Sequence, residues 1–386
     1  MTSAPVHPFR ISVAQSDVDD LRRRLESARW PEEIDRTRPE DGITVEAMRE
    51  LVDRWRDGFD WRAHEADLNR FPQVTTEVDG QLLHAVHRRS PRPDAEPLVL
   101  LHGWPSTVAE FRHIVDELAE PADPSAPAFH VVAPSLPGFG FSGPLRERGW
   151  GAHRMADAIA QLMRRLGHGR YLAHGGDAGY QVAAALARVD GDQVGGIHLN
   201  LGGVGLAGLH RDEPPADDAE ARALALYTDY VRDKSAYALL NATRPQTVSY
   251  GLADSPIGQL AWIAEKFSDW ADPAHPVAVD DVLTTTSIFW YTGTAASSAR
   301  FYQEEYTANR APGTGPATRR GFVDVPTAVS SFPSEIVPPI RRWAEERYRI
   351  VRWSELPAGG HFSALERPDL LVGALQGFAA QLRAMA

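Results

Sequence analysis

The sequence predicts an α/β protein: a mostly parallel central sheet with helices on both faces, an inserted helical lid and an N-terminal helical arm. Three observations predict it. Short apolar runs (Leu98–His102, Phe129–Ala133, Tyr171–His174, Ile197–Leu201) recur between helix-length stretches such as Glu110–Leu118 and His153–Leu166. Runs without polar alternation read as strands buried on both faces, the condition of a parallel sheet covered by helices. The alternation lapses over residues 205–318 and then resumes, as expected when a helical segment is inserted into a sheet.

Residues 1–72 form the arm. Ser16-Asp17 can cap a helix whose apolar positions Val18, Leu21 and Leu25 recur at helical spacing, with Pro31 beyond its end. A second amphipathic helix carries Met48, Leu51, Val52 and Trp55 and ends near Gly58. Alone the arm would bury too little, so its aromatics Trp30, Trp55, Phe59 and Trp61 are expected to pack on a larger body. The core opens with a hairpin over Val74–His87, turning at Asp79-Gly80, and its first part spans residues 73–204. The lid follows, with helical stretches at Ala219–Tyr230, Ile257–Trp270 and Val282–Tyr302, no clear strand, and a closing loop at Ala311–Pro316. Residues 319–386 return to the core, with strands at Gly321–Val325 and Tyr348–Trp353 and a last helix over Pro368–Met385. There is no internal repeat.

Composition narrows the function. The 386 residues, 43% of them hydrophobic, suffice for one large core with a lid. Forty basic against 52 acidic residues give a net charge of −12, unsuited to nucleic acid or an anionic membrane surface. The absence of cysteine excludes disulfides, thiolate catalysis and cysteine metal sites. No apolar stretch approaches the ~20 residues of a membrane span, and Met1–Arg10 lacks the basic and apolar regions of a signal peptide. A soluble, cytoplasmic protein is expected, with a homodimer as the base-rate assembly.

Chemistry concentrates in three places. Gly175-Gly176-Asp177-Ala178-Gly179 follows an apolar strand and opens a helix of small residues. This is the nucleophile-elbow pattern of the α/β-hydrolase fold, with aspartate where serine usually stands. Small neighbours are needed because the turn strains the nucleophile's backbone and brings chains close together. A carboxylate there can attack a saturated carbon and form an alkyl ester. The pentapeptide alone fits equally a Gly-rich turn whose aspartate caps a helix. No Gly-x-Ser-x-Gly competes with it.

The second place is His102-Gly103-Trp104-Pro105, directly after the Leu98–Leu101 run. In an elbow architecture this loop and the residue after the nucleophile supply the oxyanion-hole N–H groups, here those of Trp104 and Ala178. His102 itself is read as fixing the loop. The third place is Gly359-Gly360-His361-Phe362, late in the chain and after a strand, where His361 can act as general base. Glu335 follows the strand that restarts the core and can orient His361; Asp324 is the competing carboxylate, within the strand. If the group displaced by the carboxylate is an oxygen, it also needs an acid, which a tyrosine hydroxyl (pKa ~10) can supply. The lid offers Tyr227, Tyr230, Tyr237, Tyr250, Tyr291, Tyr302 and Tyr306.

Together these residues resemble the microsomal-type epoxide hydrolases, which include the juvenile-hormone enzymes and bacterial relatives from antibiotic pathways. The resemblance covers nearly the whole chain. It takes in Pro8-Phe9-Arg10 and Arg29-Trp30-Pro31 in the arm, the His102–Pro105 loop, Pro134–Ser142, Gly175–Asp177 and Gly359–Phe362. It implies an arm wrapped around lid and core. It implies Glu335 rather than Asp324 as the acid, through Phe332-Pro333-Ser334-Glu335, and Tyr237 and Tyr302 as donors to the epoxide oxygen. Ala178 departs from the tryptophan that usually follows the family's nucleophile, which implies a wider or reshaped substrate site. The sequence shows no counterpart of the membrane anchor of the mammalian enzymes, so a soluble form is expected.

The expected reaction opens an epoxide on Asp177 and hydrolyses the ester with water activated by His361, without metal or organic cofactor. A bulky aromatic or polyene epoxide, in secondary metabolism or detoxification, fits the family and Ala178. Two alternatives stand beside it. A haloalkane or haloacid dehalogenase uses the same Asp–His chemistry but needs halide donors. A non-catalytic hydrolase-fold binding protein would lack part of the Asp177–His361–Glu335 set.

Overall fold

The computed structural model describes residues 4–33, 41–200, 214–310 and 321–385. Among these the sheet has nine strands: β1 His7–Phe9, β2 Gln73–Val78, β3 Gln81–Arg88, β4 Glu96–Leu101, β5 Phe129–Pro134, β6 Tyr171–Gly175, β7 Val194–Leu199, β8 Val323–Ser331 and β9 Tyr348–Glu355. Their order is β1-β2-β3-β5-β4-β6-β7-β8-β9. From β5 to β9 neighbouring strands run parallel, and β1, β2 and β3 add an antiparallel edge. The fully apolar runs became the buried centre: every residue of β6 and β7 is buried. Asp79 and Gly80 both take positive φ (49° and 75°), which closes the β2–β3 hairpin in two residues.

The arm contains one strand that helical periodicity did not signal. His7–Phe9 pairs with Thr75, Val74 and Gln73 of β2; three residues are too few for a pattern. Helices α1 (Gln15–Glu26), α2 (Val45–Asp53) and α3 (Trp61–Leu68) follow, with a π turn over Arg54–Gly58 after α2. The residue before α1 is Ala14, so Asp17 sits inside the first turn, where its charge meets the helix dipole, and does not cap it. The arm packs on the helices that precede β8. Trp55 Nε1 donates to Ser287 Oγ at 2.9 Å, Arg54 forks onto Asp280 at 2.9 and 2.7 Å, and Trp61 lies 4.9 Å from the Tyr291 ring.

The stretch Glu110–Leu118 is a 3₁₀ turn (Val108–His113) followed by the short α4 (Val115–Ala119). Helices α5 (Ala152–Arg165) and α6 (Ala178–Val189) pack against each other beside the sheet. Between β7 and β8 lie α7 (Asp218–Asp229), α8 (Ala236–Thr243), α9 (Pro245–Asp254), α10 (Pro256–Trp270), α11 (Val279–Thr292) and α12 (Ala295–Arg310). Two of these, α8 and α9, were not expected. Their signal was the proline at the first position of α9 and α10, which starts a helix as readily as it ends one. The expected single stretch Val282–Tyr302 is split by Gly293, left-handed at φ 63°. The Ala311–Pro316 loop, Leu201, and the expected boundaries at 204/205 and 318/319 lie outside the described residues. No helix among the described residues is long and apolar enough to cross a membrane.

Candidate active site

β6 ends at Gly175 and α6 begins at Ala178, leaving Asp177 at the corner with φ 47° and ψ −129°. A non-glycine residue there is strained, and the surroundings must hold it. They do so by close approach. A Cβ on Gly179 would lie 2.0 Å from the Leu101 carbonyl oxygen, and one on Gly103 would lie 2.2 Å from Asp177 Cβ. Only glycine lets the β4 loop and the head of α6 come this near Asp177. The contact aims two backbone N–H groups at one oxygen: Trp104 N and Ala178 N donate to Asp177 Oδ1 at 2.8 and 2.7 Å.

The other oxygen, Asp177 Oδ2, faces His361 Nε2 at 3.4 Å. On the far side of the ring, His361 Nδ1 bonds Glu335 Oε1 at 3.0 Å. Glu335 is buried just beyond the C-terminal end of β8, whereas Asp324 is exposed near the start of that strand. Strand direction thus separates the two carboxylates. Burial alone would push the His361 imidazole down, but the Glu335 and Asp177 carboxylates outweigh it and hold the ring well above its ordinary value. The backbone around His361 is clamped. His361 N donates to Trp270 O at 3.1 Å, Phe362 N to Glu366 Oε1 at 2.7 Å, and Gly359 N to Asp272 Oδ2 at 2.9 Å.

His102 is buried and neutral. Its Nε2 accepts from Leu136 N at 3.1 Å, so Nδ1 carries the proton and meets Gly103 O at 3.0 Å; burial lowers the ring to about 4. It fixes the loop, as expected.

Tyr237 in α8 and Tyr302 in α12 reach the same place from different helices. The Trp104 ring stacks on Tyr237 at 5.1 Å and meets Tyr302 edge-on at 5.6 Å, and the two tyrosine rings are 5.8 Å apart. Burial and the Asp177 charge push both phenols well above 10, so both keep their protons at neutral pH. The Pro134–Ser142 turn ties α12 to the core: Gly140 N donates to Thr294 Oγ1 at 3.0 Å, and Ser297 Oγ donates to Gly138 O.

Three side chains near the site escaped sequence reading. Tyr230 was one hydroxyl among seven, and its spacing of seven from Tyr237, near two helical turns, was the available signal. Its hydroxyl lies 2.8 Å from that of Tyr237. Glu110, in the 3₁₀ turn, is pushed up to about 7 by burial, against the pull of the Ser106 hydroxyl and of His361. Lys266, buried in α10, places Nζ 4.8 Å from the centre of the Tyr237 ring. Nothing in a helical pattern distinguishes an inward lysine from a solvated one. Among the described residues no group of three or more His, Asp or Glu is arranged to hold a metal ion.

Comparisons with known proteins identify the family and the fold. A family model described as epoxide hydrolase N terminus matches residues 6–111, and one for the alpha/beta hydrolase fold matches residues 96–259. A protein of Stigmatella aurantiaca (strain DW4/3-1) that carries a provisional epoxide hydrolase name is 42% identical over 390 residues, covering 98% of this chain and 86% of its own. Epoxide hydrolase 1 of Sus scrofa is 30% identical over 408 residues, covering 97% and 88%. The solved structure of Aspergillus niger epoxide hydrolase matches with a TM-score of 0.85 at 33% identity, over 99% of this chain and 97% of that one.

Proposed function

The chain belongs to the epoxide hydrolase family and is an enzyme that turns an epoxide and water into a vicinal diol, and we propose that it does so through an alkyl ester on Asp177. The observation that carries this reading is the division of labour within one carboxylate. Oδ1 accepts two backbone N–H bonds, while Oδ2 is turned toward His361.

Tyr237 and Tyr302 hydrogen-bond the epoxide oxygen. Asp177 Oδ2 attacks a ring carbon, and the ring oxygen leaves that carbon with the electron pair. Before attack, His361 is an imidazolium between two carboxylates. Esterification removes the Asp177 charge, so the ring releases its proton more readily and becomes a base. His361, oriented by Glu335, then takes a proton from water as the water adds to the Asp177 carboxyl carbon. Oδ1 becomes the oxyanion, already held by Trp104 N and Ala178 N. Such donors contribute a factor of roughly 10²–10³.

We read residues 1–72 as an arm, 73–204 and 319–386 as the catalytic core, and 205–318 as a lid that supplies the tyrosines. The small Ala178 side chain beside the nucleophile favours a bulky aromatic or polyene epoxide, handled in biosynthesis or detoxification in the cytoplasm.

Hydration of styrene oxide in ¹⁸O-water, in a single turnover with excess enzyme, tests the route. The first diol is expected to carry unlabelled oxygen from Asp177, with the label entering the protein, and Asp177→Ala is expected to be inactive. A first diol labelled from water would mean direct attack and would remove Asp177 as nucleophile.

A further inference from the structure

Tyr230 opens a π turn (Tyr230–Lys234) that continues α7, and α8 starts anew at Ala236. The extra residue in the turn and the restart let two side chains seven positions apart converge, although they belong to different helical segments. Turns of this kind recur at functional sites because they redirect a side chain without ending the helix. Here the convergence is specific: the Tyr230 and Tyr237 hydroxyls are 2.8 Å apart, and Tyr237 is held flat against the Trp104 ring.

A phenol has one proton to give and two lone pairs to receive with. If Tyr237 gave its proton to Tyr230, it would have none for the epoxide oxygen. Either hydroxyl can be the donor of this pair, and when Tyr237 gives its proton to the epoxide oxygen the donor has to be Tyr230. We propose that Tyr230 is a positioning residue for epoxide opening. Its hydroxyl donates to Tyr237 Oη, aims the Tyr237 proton at the epoxide oxygen, and stabilises the phenolate that forms. This rests on Tyr237 being an acid of the reaction.

The step balances. The Asp177 Oδ2–carbon bond forms, and the ring carbon–oxygen bond breaks with its electron pair on oxygen. That oxygen takes the Tyr237 proton, leaving a Tyr237 phenolate that accepts from Tyr230. The proton that His361 gives up once the Asp177 charge is gone restores Tyr237, and hydrolysis of the ester re-forms the Asp177 carboxylate and releases one proton from water, which returns His361 to the imidazolium. Burial pushes the Tyr230 phenol upward, against the pull of the Tyr237 hydroxyl and with the aid of the Asp177 charge, so it holds its proton at neutral pH. A hydrogen bond onto a forming charge also strengthens the donor behind it.

The test separates the two chemical steps. Ester formation and ester hydrolysis are followed with excess enzyme and styrene oxide through tryptophan fluorescence, since Trp104 and Trp270 both lie against Tyr237. The enzymes compared are wild type, Tyr230→Phe, Tyr237→Phe and the double variant. Tyr230→Phe is expected to slow ester formation about tenfold and to leave ester hydrolysis within about twofold. In the Tyr237→Phe background it is expected to add nothing. Placing 3,5-difluorotyrosine at position 230, a stronger donor of similar shape, is expected to speed ester formation. Normal ester formation in Tyr230→Phe beside a slow Tyr237→Phe would overturn this inference alone. So would an equal slowing of both steps, or the same slowing with Tyr237 already removed. Normal ester formation in Tyr237→Phe would remove the role of Tyr237 itself, and this inference with it.

Discussion

At the residue scale the site turns on the charge around His361. Two carboxylates hold a proton on a buried ring that burial by itself would strip. In the proposed mechanism the same proton would disable the base, so one of those charges must vanish, and ester formation at Asp177 would remove it. The consequence is a step-specific pH dependence. Ester hydrolysis requires neutral His361, so its rate should fall as pH drops through the value the ring takes in the ester. In His361→Gln the ester should accumulate, visible as a mass increase equal to that of the epoxide, with turnover reduced by roughly 10²–10⁴. Full diol turnover by that variant would remove His361 as the base. Asp177 and His361 were legible in sequence because glycines flank both and glycine is required where backbones crowd. The choice of Glu335 over Asp324 was legible only through the family resemblance, because physically it depends on which end of β8 faces the site. The choice of Tyr237 and Tyr302 among seven tyrosines likewise rested on the resemblance, since a helical pattern states a spacing and no direction across a cleft.

At the element scale, strand, corner and helix act as one device. β6 delivers Asp177, α6 begins immediately behind it, and the β4 loop closes over it through Gly103 and Gly179. Gly179→Ala forces a methyl into the Leu101 carbonyl oxygen at 2.0 Å, so either the corner or the sheet must shift. Overpacking of this kind costs about 1–3 kcal/mol or more, and Gly179→Ala should lower Tm and abolish ester formation together. A variant with wild-type Tm and rate would contradict the crowding argument. The arm is tested at Trp55, which is buried against Ser287 of α11. Trp55→Ala should cost about 3–5 kcal/mol, read as a lower urea midpoint. An unchanged midpoint would mean that the arm does not stabilise the body it covers. Helices α1 and α2 of the arm were legible from their apolar spacing, but α3 was not expected, nor was β1, because a three-residue strand exists only through its partner β2.

For the whole molecule, buried histidines govern acid stability. His84 is held neutral to about 3, and His87, His102, His168 and His174 to about 4, in each case chiefly by burial. In the unfolded chain the same rings take up protons near 6.5. The unfolded state therefore binds more protons between those values. Stability from neutral burial is complete above pH ~6.5 and is lost as pH falls toward ~4. Tm should be nearly level from pH 8 to 7 and fall progressively below ~6.5. His87→Gln, which dissolves the His87–His168 contact at 3.0 Å, should make that fall shallower. A level Tm down to pH 4.5 would show that these rings are not kept neutral by the fold.

The sequence by itself determined the parallel sheet, the strand-to-helix corner at Asp177 and the Gly-rich loop that carries His361. Each rests on local physics: unbroken apolar runs for strands buried on both faces, glycines for close backbones, and a Gly-rich loop after a strand for His361. Tertiary structure alone decided which side chains meet. The shared carboxylate of Asp177, the clamp of Asp272 and Glu366 on the His361 loop, and the pairing of Tyr230 with Tyr237 all join residues from separate elements. Their distances are set by how helices cross the sheet and by where a helix is broken, as at Gly293 and at the π turn after α7. Those packing angles are properties of the assembled core, and no local pattern encodes them.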